Sequence, residues 1–217
     1  MSVDWSRPVS AVVPGLEGAV LRGLWARQDD ELSGAQVHRV AHAGSSEGVR
    51  KALARLVQQG VVNRRGSGAG AWYRINTDHV CWPAIEGLFE ALHPRRELRR
   101  QVENLLCDIV RDDEVRAEIG VALVGSAARG DGAAADDLDL LVVVPVGLEG
   151  WIAAELLDQL YRDVPRWTGN DADVHLATPP QLVAWSLGAA RPVLERWARD
   201  AEQLRGPPVH AHLPLVV

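Results

Sequence analysis

Residues 125–144, GSAARGDGAAADDLDLLVVV, set acidic side chains directly against the pattern of an apolar strand. From Asp137 to Leu140 acidic and apolar residues alternate, and successive side chains of a β-strand point to opposite faces. Asp137 and Asp139 are therefore predicted to project from the same side of one strand. Two carboxylates at close range either raise the pKa of one of them or bind a cation that neutralises both. The pair therefore predicts a cation site.

The residues before this pair have the pattern of a phosphate-binding turn. VALVG predicts a short buried strand that ends in Gly125, and the residues from Ser126 to Arg129 can begin a short helix. The free N–H groups and the dipole at a helix start favour anions such as a triphosphate. Ten residues separate Ser126 from Asp137, enough for one short helix and a loop back to a neighbouring strand. The phosphate cradle and the carboxylate pair are thus expected to adjoin.

The stretch VGSAARGDGAAADDLDLLV resembles the polymerase-β-like nucleotidyltransferase superfamily, whose signature is an apolar residue, Gly-Ser, a spacer and Asp-x-Asp on the next strand. GSAARGD is similar to the minimal nucleotidyltransferases, which include antitoxin-type members. The resemblance implies a metal-dependent transfer of NMP from an NTP, with ATP expected, to a hydroxyl acceptor. It implies catalytic and metal-binding roles for Asp137 and Asp139 with Mg²⁺ or Mn²⁺, and nucleotide binding by Gly125, Ser126 and Arg129.

The same family uses a third carboxylate on a later strand. GNDADVHLATPPQL predicts a strand from Ala172 to Ala177, in which Asp173, His175 and Ala177 share one face. The resemblance therefore assigns Asp173 as the third catalytic and metal-binding residue. Asp171 has the same parity and is the alternative, whereas Asp136 is expected to cap a loop or face solvent. If neither Asp171 nor Asp173 lies beside the pair, the site binds nucleotide without catalysis.

The first part of the chain has another pattern, with helices predicted around 14–28, 33–43 and 45–59, followed by two strands and a glycine-rich turn. Three helices and then a hairpin resemble the winged helix-turn-helix family over residues 12–77. The resemblance implies that the third helix enters DNA and that the wing contacts phosphates. The expected DNA-binding residues are Ser46, Arg50, Lys51, Arg64 and Arg65. The alternative is that these cations only solubilise the surface and that the module binds protein.

Charge is distributed in the same two parts. Residues 1–80 carry a net charge of +3 and residues 81–217 a net charge of −9. We therefore predict a mixed α/β (α+β) fold, with a winged helix-turn-helix domain at 1–80 joined by a helical linker at 81–118 to a small mixed-sheet nucleotidyltransferase domain at 119–217. Pro94 is expected to break or kink the linker helix.

Composition narrows the classes of protein further. No secretory leader and no membrane span are indicated, which favours a cytoplasmic protein without membrane contacts. Cys81 and Cys107 are the only cysteines and form no zinc motif.

The sequence leaves three functions open. The chain could modify a protein such as a partner toxin, or it could modify a small molecule as aminoglycoside nucleotidyltransferases do. It could also regulate transcription, with a second domain that only senses nucleotide. A homodimer would double the positive charge offered to DNA.

Overall fold

The computed structural model of the chain describes residues 2–213. Contacts within the chain divide it into two compact units: Arg7–His93 forms the first unit, and the described residues on either side of it form the second unit. Each unit combines helices with a small sheet, so the predicted α+β class is confirmed. Helices from the segment expected to be a linker, 81–118, are divided between the two units.

The first unit combines helices with a three-stranded antiparallel sheet. Its helices are α1 (Leu16–Trp25), α2 (Gly34–Ala41), α3 (Ser46–Gln58) and α4 (Trp82–Ala91), with 3₁₀ turns at Pro8–Ala11 and Gly68–Gly70. Its strands are β1 (Leu32–Ser33), β2 (Val62–Arg65) and β3 (Trp72–Ile75). β3 lies in the middle and pairs antiparallel with both neighbours, so that β2 and β3 form a hairpin.

Serine side chains determine where α2 and α3 begin. The Ser33 backbone N donates to Gln36 Oε1 at 2.8 Å and Gln36 N donates to Ser33 Oγ at 3.4 Å, which forms a capping box. At α3, Ser45 Oγ accepts a hydrogen bond from Gly48 N at 3.1 Å. Each cap satisfies an N–H group that the first helical turn leaves without a partner. Ser46 is therefore the first residue of α3, and its side chain is exposed.

Apolar side chains of the first unit form one core. Val20 of α1, Leu53 of α3 and Phe89 of α4 are each at most 1% exposed and belong to the same cluster. Because α3 directs its apolar side to this core, Arg50 and Lys51 lie on the exposed side of the helix.

The second unit is built on a four-stranded mixed sheet. Its helices are α5 (Pro94–Ile109), α6 (Asp113–Glu118), α7 (Gly125–Arg129), α8 (Gly150–Thr168), α9 (Pro179–Ser186) and α10 (Arg191–Asp200), with a 3₁₀ turn at Val209–His212. Its strands are β4 (Gly120–Leu123), β5 (Leu138–Val143), β6 (Ala172–Ala177) and β7 (Glu202–Arg205), in the order β6-β5-β4-β7. β5 and β6 are parallel and joined through α8, whereas β4 is antiparallel to β5 and β7.

Each face of this sheet has its own core. Side chains of β5 alternate, so that Leu140 packs in the cluster formed with α5 and α8, while Leu141 packs in the cluster formed with α9 and α10. β6 follows the same alternation, with Val174 in the first cluster and Ala177 in the second. By this parity Asp139 projects to the α9–α10 side of the sheet. Within residues 2–213, no helix combines the length and the apolar character that crossing a bilayer requires.

A buried asparagine joins three segments near the start of β5. Asn170 is 2% exposed, and its Nδ2 donates to the backbone oxygens of Ala134 and Asp136 at 3.3 and 3.1 Å. Its Oδ1 accepts from Val3 N at 3.2 Å and from Trp5 Nε1 at 3.3 Å. Asn170 therefore holds the loop before β5 against the N-terminal residues of the second unit.

An arginine at the start of α5 makes a second connection of this kind. Arg95 Nη2 donates to the backbone oxygen of Ala127 in α7 at 2.6 Å, and the guanidinium is ion-paired with Glu202. The Arg95 Cζ also lies 5.9 Å from the centroid of the Trp5 ring, within the range of a cation–π contact. Arg95 thus fixes α7, which follows β4 at the candidate site.

Candidate active site

The candidate active site lies at the edge of the second sheet where β4 ends and β5 and β6 begin. Parallel pairing of β5 with β6 places Asp139 directly beside Asp173 in register. On the other side of Asp139, its backbone oxygen accepts a hydrogen bond from Val124 N at 3.0 Å. The strand positions thus bring two carboxylates next to the turn that begins at Gly125.

A histidine completes a group of three donors at this edge. Asp139, Asp173 and His175 each offer one ligand atom, and these atoms lie within 4.8 Å of one another. His175 Nε2 lies 3.6 Å from Asp173 Oδ2, and its ring centroid lies 4.7 Å from that of Trp197 in α10. Strand alternation predicted that His175 shares the face of Asp173, but its part in the group was missed because no family motif points to it.

The electrostatics of the group disfavour two free carboxylates. Burial raises the pKa of the Asp139 carboxyl above its usual value, and repulsion from Asp173 acts in the same direction. His175 opposes this shift, while the more weakly acting Asp137 and Asp136 add to it. A divalent cation would relieve the repulsion, since it favours the charged form of every carboxylate around it. The two carboxylates and the imidazole fit such a cation.

Gly125 lets the turn after β4 approach the carboxylates closely. It has φ +69°, in the left-handed region that favours glycine, and a Cβ built there would lie 1.9 Å from Asp139 Oδ2 and 2.9 Å from Asp139 Cγ. No side chain larger than hydrogen fits beside Asp139 in this arrangement. The sequence predicted a glycine-containing turn here, and the structure adds the reason for the glycine.

The loop before β5 uses one of its acidic residues as a cap. Asp136 Oδ2 accepts from Ala133 N at 2.9 Å and from Ser126 Oγ at 3.2 Å, as expected for a capping residue. Asp137 is exposed, immediately precedes β5, and is not one of the three grouped donors. Asp171 lies outside the group as well, and its backbone oxygen accepts from Leu138 N at 2.7 Å.

A cavity of about 760 Å³ opens over the acidic group. Gly125, Ser126, Asp139 and His175 line it on the sheet side, and α9 and α10 line it with Trp185, Trp197, Arg196 and Arg199. Arg129 also lines the cavity, and its guanidinium lies 3.2 Å from an Asp131 oxygen and 3.7 Å from an Asp200 oxygen. The volume lies within the range of small-molecule sites, and the lining combines aromatic rings with positive charge.

The residues expected to bind DNA are all in the first unit, and most of their charges are paired there. Arg50 Nη2 lies 2.6 Å from Glu47 Oε1, and Lys51 Nζ lies 3.8 Å from the same oxygen. Arg65 in β2 is ion-paired with Glu31. Ser46 and Arg64 are exposed, the first at the start of α3 and the second in β2. α3 and β2 thus each present cationic side chains to solvent.

Comparison with known proteins gives one match. Searches of curated proteins and of solved structures returned no significant match. A family model described as "Nucleotidyltransferase domain" matches residues 100–185, which run from α5 into α9 and include Gly125, Ser126, Asp139, Asp173 and His175. The resemblance stated from the sequence is confirmed at this level. Residues 100–185 are therefore similar to the nucleotidyltransferase domain family, and the acidic group lies within the matched segment.

Proposed function

We propose that the chain is a metal-dependent nucleotidyltransferase, which transfers NMP from an NTP, with ATP as the expected donor, to a hydroxyl group of an acceptor. One observation carries this proposal: Asp139 and Asp173 are paired in register beside the Gly125 turn, inside the segment that matches the family. Nucleotidyl transfer requires carboxylates beside a phosphate-binding turn, because the carboxylates hold the cation and the turn holds the triphosphate.

Asp139 and Asp173 would hold Mg²⁺ or Mn²⁺, with Asp137 close enough to add its charge. A divalent cation bound there supplies positive charge that offsets the charge developing on the phosphate oxygens. Because burial and repulsion from Asp173 raise the pKa of Asp139, a bound cation is favoured over two free negative charges at this pair.

The remaining steps fall to the residues of this chain. Gly125 and Ser126 position the phosphates, and Gly125 allows their close approach because it has no side chain. Arg129 can exchange its carboxylate partners for a phosphate, since both ion-pair distances, 3.2 and 3.7 Å, are longer than tight pairs. Asp173 orients the acceptor hydroxyl and accepts its proton, so that the oxygen attacks the α-phosphorus and pyrophosphate leaves.

We also propose that the first unit is a winged helix-turn-helix that binds DNA. Three helices, α1 to α3, precede the β2–β3 hairpin, and β1 completes a three-stranded antiparallel sheet, which is the element order of that family. α3 would enter the major groove with Ser46, Arg50 and Lys51, and Arg64 and Arg65 would contact phosphates. Two copies of the chain would present twice the positive charge, which favours a homodimer on DNA.

For the acceptor we propose a protein, such as a toxin whose gene the winged helix regulates. The test incubates the chain with labelled ATP, Mg²⁺ or Mn²⁺, and extract of the source cells. Label on a protein supports this acceptor, and label on a small molecule reassigns it. If no label appears with either cation although nucleotide binds, the second unit is a nucleotide sensor and the transferase proposal is wrong.

The carboxylates are tested by Asp137→Asn with Asp139→Asn. This double variant should lose metal-dependent transfer and stay folded, because the substitutions remove mutual repulsion. Transfer that survives in the double variant would contradict the assignment of these residues. Asp136→Asn is the comparison variant, because the Asp136 carboxylate caps the loop by accepting from Ala133 N and Ser126 Oγ and is not one of the grouped donors.

DNA binding is tested by opposite changes of charge on α3. Arg50→Ala should weaken binding and lower the dependence of log Kd on log salt by about 1, as expected for one lost phosphate contact. Glu47→Gln should strengthen binding, because Glu47 holds both Arg50 and Lys51 in ion pairs. Fluorescence anisotropy with duplex DNA over a range of salt concentrations measures both effects. Unchanged affinity in both variants would exclude α3 from DNA contact.

A further inference from the structure

We propose that His175 is a ligand of the cation together with Asp139 and Asp173, and that this nitrogen donor makes the centre prefer divalent transition-metal ions to Mg²⁺. The inference rests on the proposed function and deepens it by assigning a ligand and a metal preference to the same site. It starts from the composition of the donor group, two carboxylates and one imidazole.

The position of His175 follows from the sheet. It is two residues after Asp173 on β6, so both side chains project to the α9–α10 side. Its ligand atom lies within 4.8 Å of those of Asp139 and Asp173. Ligands of one small divalent ion have bonds of about 2.1 Å, so their atoms are separated by about 3 to 4 Å. The three donor atoms, at most 4.8 Å apart, are therefore within about 1 to 2 Å of the spacing that one ion requires.

The ring of His175 is oriented by packing and keeps a nitrogen for a ligand. It lies against Trp197 at a centroid distance of 4.7 Å and an interplanar angle of 43°. Its Nε2 lies 3.6 Å from Asp173 Oδ2, which is longer than a hydrogen bond. Within residues 2–213 the His175 ring makes no hydrogen bond, and it lines the cavity over the acidic group. A half-buried imidazole with no hydrogen bond, facing two carboxylates, is suited to bind the ion that they bind.

An imidazole changes which ion binds best. Mg²⁺ prefers oxygen ligands and keeps several waters, whereas imidazole nitrogen binds first-row transition metals well. For a site of mixed nitrogen and oxygen donors, affinity rises from Mn²⁺ to Co²⁺ in the usual order of these ions. We therefore expect the full chain to bind Co²⁺ more tightly than Mn²⁺, and Mn²⁺ more tightly than Mg²⁺.

The direct test is pulsed electron paramagnetic resonance of Mn²⁺ bound to the full chain with a non-hydrolysable ATP analogue. A histidine ligand gives a ¹⁴N modulation, which ¹⁵N-histidine labelling of the wild-type chain should convert to that of ¹⁵N. His175→Gln should abolish the nitrogen signal. The variant that replaces both His210 and His212 with Gln should keep the signal, because it removes imidazoles of the chain that lie outside the donor group.

Calorimetric titration supplies the second readout. His175→Gln should lower Mn²⁺ affinity about 10-fold or more, the size seen when a metal site loses supporting interactions, and change Mg²⁺ affinity less than 3-fold. Trp197→Leu separates ligation from stacking, because it removes the neighbouring ring and should leave the nitrogen signal in place.

The outcomes distinguish this inference from the function on which it rests. Mn²⁺ that binds without nitrogen modulation in the wild-type chain overturns the role of His175 and leaves the transferase proposal standing. An equal loss of Mn²⁺ and Mg²⁺ affinity in His175→Gln overturns the metal preference. If neither ion binds the wild-type chain with or without nucleotide, both proposals are wrong. Should His175→Gln fail to fold, ¹⁵N-histidine labelling of the wild-type chain still decides the question.

Discussion

Gly125→Ala should destabilise the second unit and displace Asp139. A methyl group at this position would lie 1.9 Å from Asp139 Oδ2 and 2.9 Å from Asp139 Cγ. Rotating the carboxylate about χ2 moves the oxygens but leaves Cγ in place, so the overlap is relieved only if χ1 or the backbone changes. The substitution therefore acts on the candidate metal site through a single added carbon atom.

The expected cost has two parts. A non-glycine residue in the left-handed region costs about 1–2 kcal/mol, and Gly125 has φ +69°. Moving Asp139 away from a favourable rotamer costs about 0.5–1.5 kcal/mol more. The variant should thus lose about 1.5–3.5 kcal/mol of unfolding free energy.

Gly147→Ala is the matched control. Gly147 also has a positive φ, +90°, but a Cβ built there meets no atom within 4 Å. Gly147→Ala should lower the unfolding free energy only by the cost of the left-handed backbone, about 1–2 kcal/mol. Calorimetric unfolding in EDTA compares the stabilities, and titration with Mn²⁺ compares the metal sites. We expect weakened Mn²⁺ binding in Gly125→Ala and unchanged binding in Gly147→Ala.

A double-mutant cycle isolates the contact. In an Asp139→Ala background, Gly125→Ala should cost no more than Gly147→Ala, because the oxygen and Cγ that it would meet are absent. The reasoning is refuted if the two glycine variants are equally destabilised in the wild-type background and both retain full Mn²⁺ affinity.

Three further predictions concern the same unit. Asp139→Asn should be more stable than wild type in EDTA, because the folded state disfavours the charged form of Asp139. The difference in unfolding free energy should grow as the pH rises from about 3.9, the unfolded pKa, through the raised folded pKa. A difference that does not depend on pH would count against the raised pKa. Arg95→Ala should lower the unfolding free energy by about 1.5–3 kcal/mol, because it removes the charged hydrogen bond to α7. Arg96→Ala, at an exposed position, should change it by no more than about 0.5 kcal/mol. Equal urea midpoints of the two variants would refute this prediction. Asn170→Ala should lower the unfolding free energy by about 3 kcal/mol, because it leaves the buried Trp5 Nε1 and several part-buried backbone groups without their partner. Amide exchange should rise in residues 134–137, and unaltered exchange there would contradict the anchoring role.

Local sequence was enough to predict several elements of the site. Helix caps depend on one or two side chains, and the helix predicted from residue 33 does begin at the cap that Ser33 forms. The strand over Ala172–Ala177 was predicted with its bounds, and its alternation placed Asp173 and His175 on one face. The glycine turn and the nucleotidyltransferase resemblance also followed from a single continuous stretch. These features involve residues close in the chain, where periodicity and backbone preference decide the outcome.

Contacts between distant residues could not be predicted in this way. The resemblance assigned Asp137, Asp139 and Asp173 to the metal, and the structure groups Asp139 and Asp173 with His175, while Asp137 lies outside the group. This grouping depends on the register of β5 against β6, which α8 separates in the chain and which packing on both faces of the sheet selects.

The supporting roles of Asn170 and Arg95 also depend on contacts between residues that are distant in the chain. Neither belongs to a recognisable motif, because each acts through backbone oxygens of segments far away in sequence. Alternation along a strand determines the face from which a side chain projects, and the chain alone contains that information. Which side chains then meet across strands is decided only when helices and sheet pack together, because burial of their apolar faces selects one register from those that the local pattern allows.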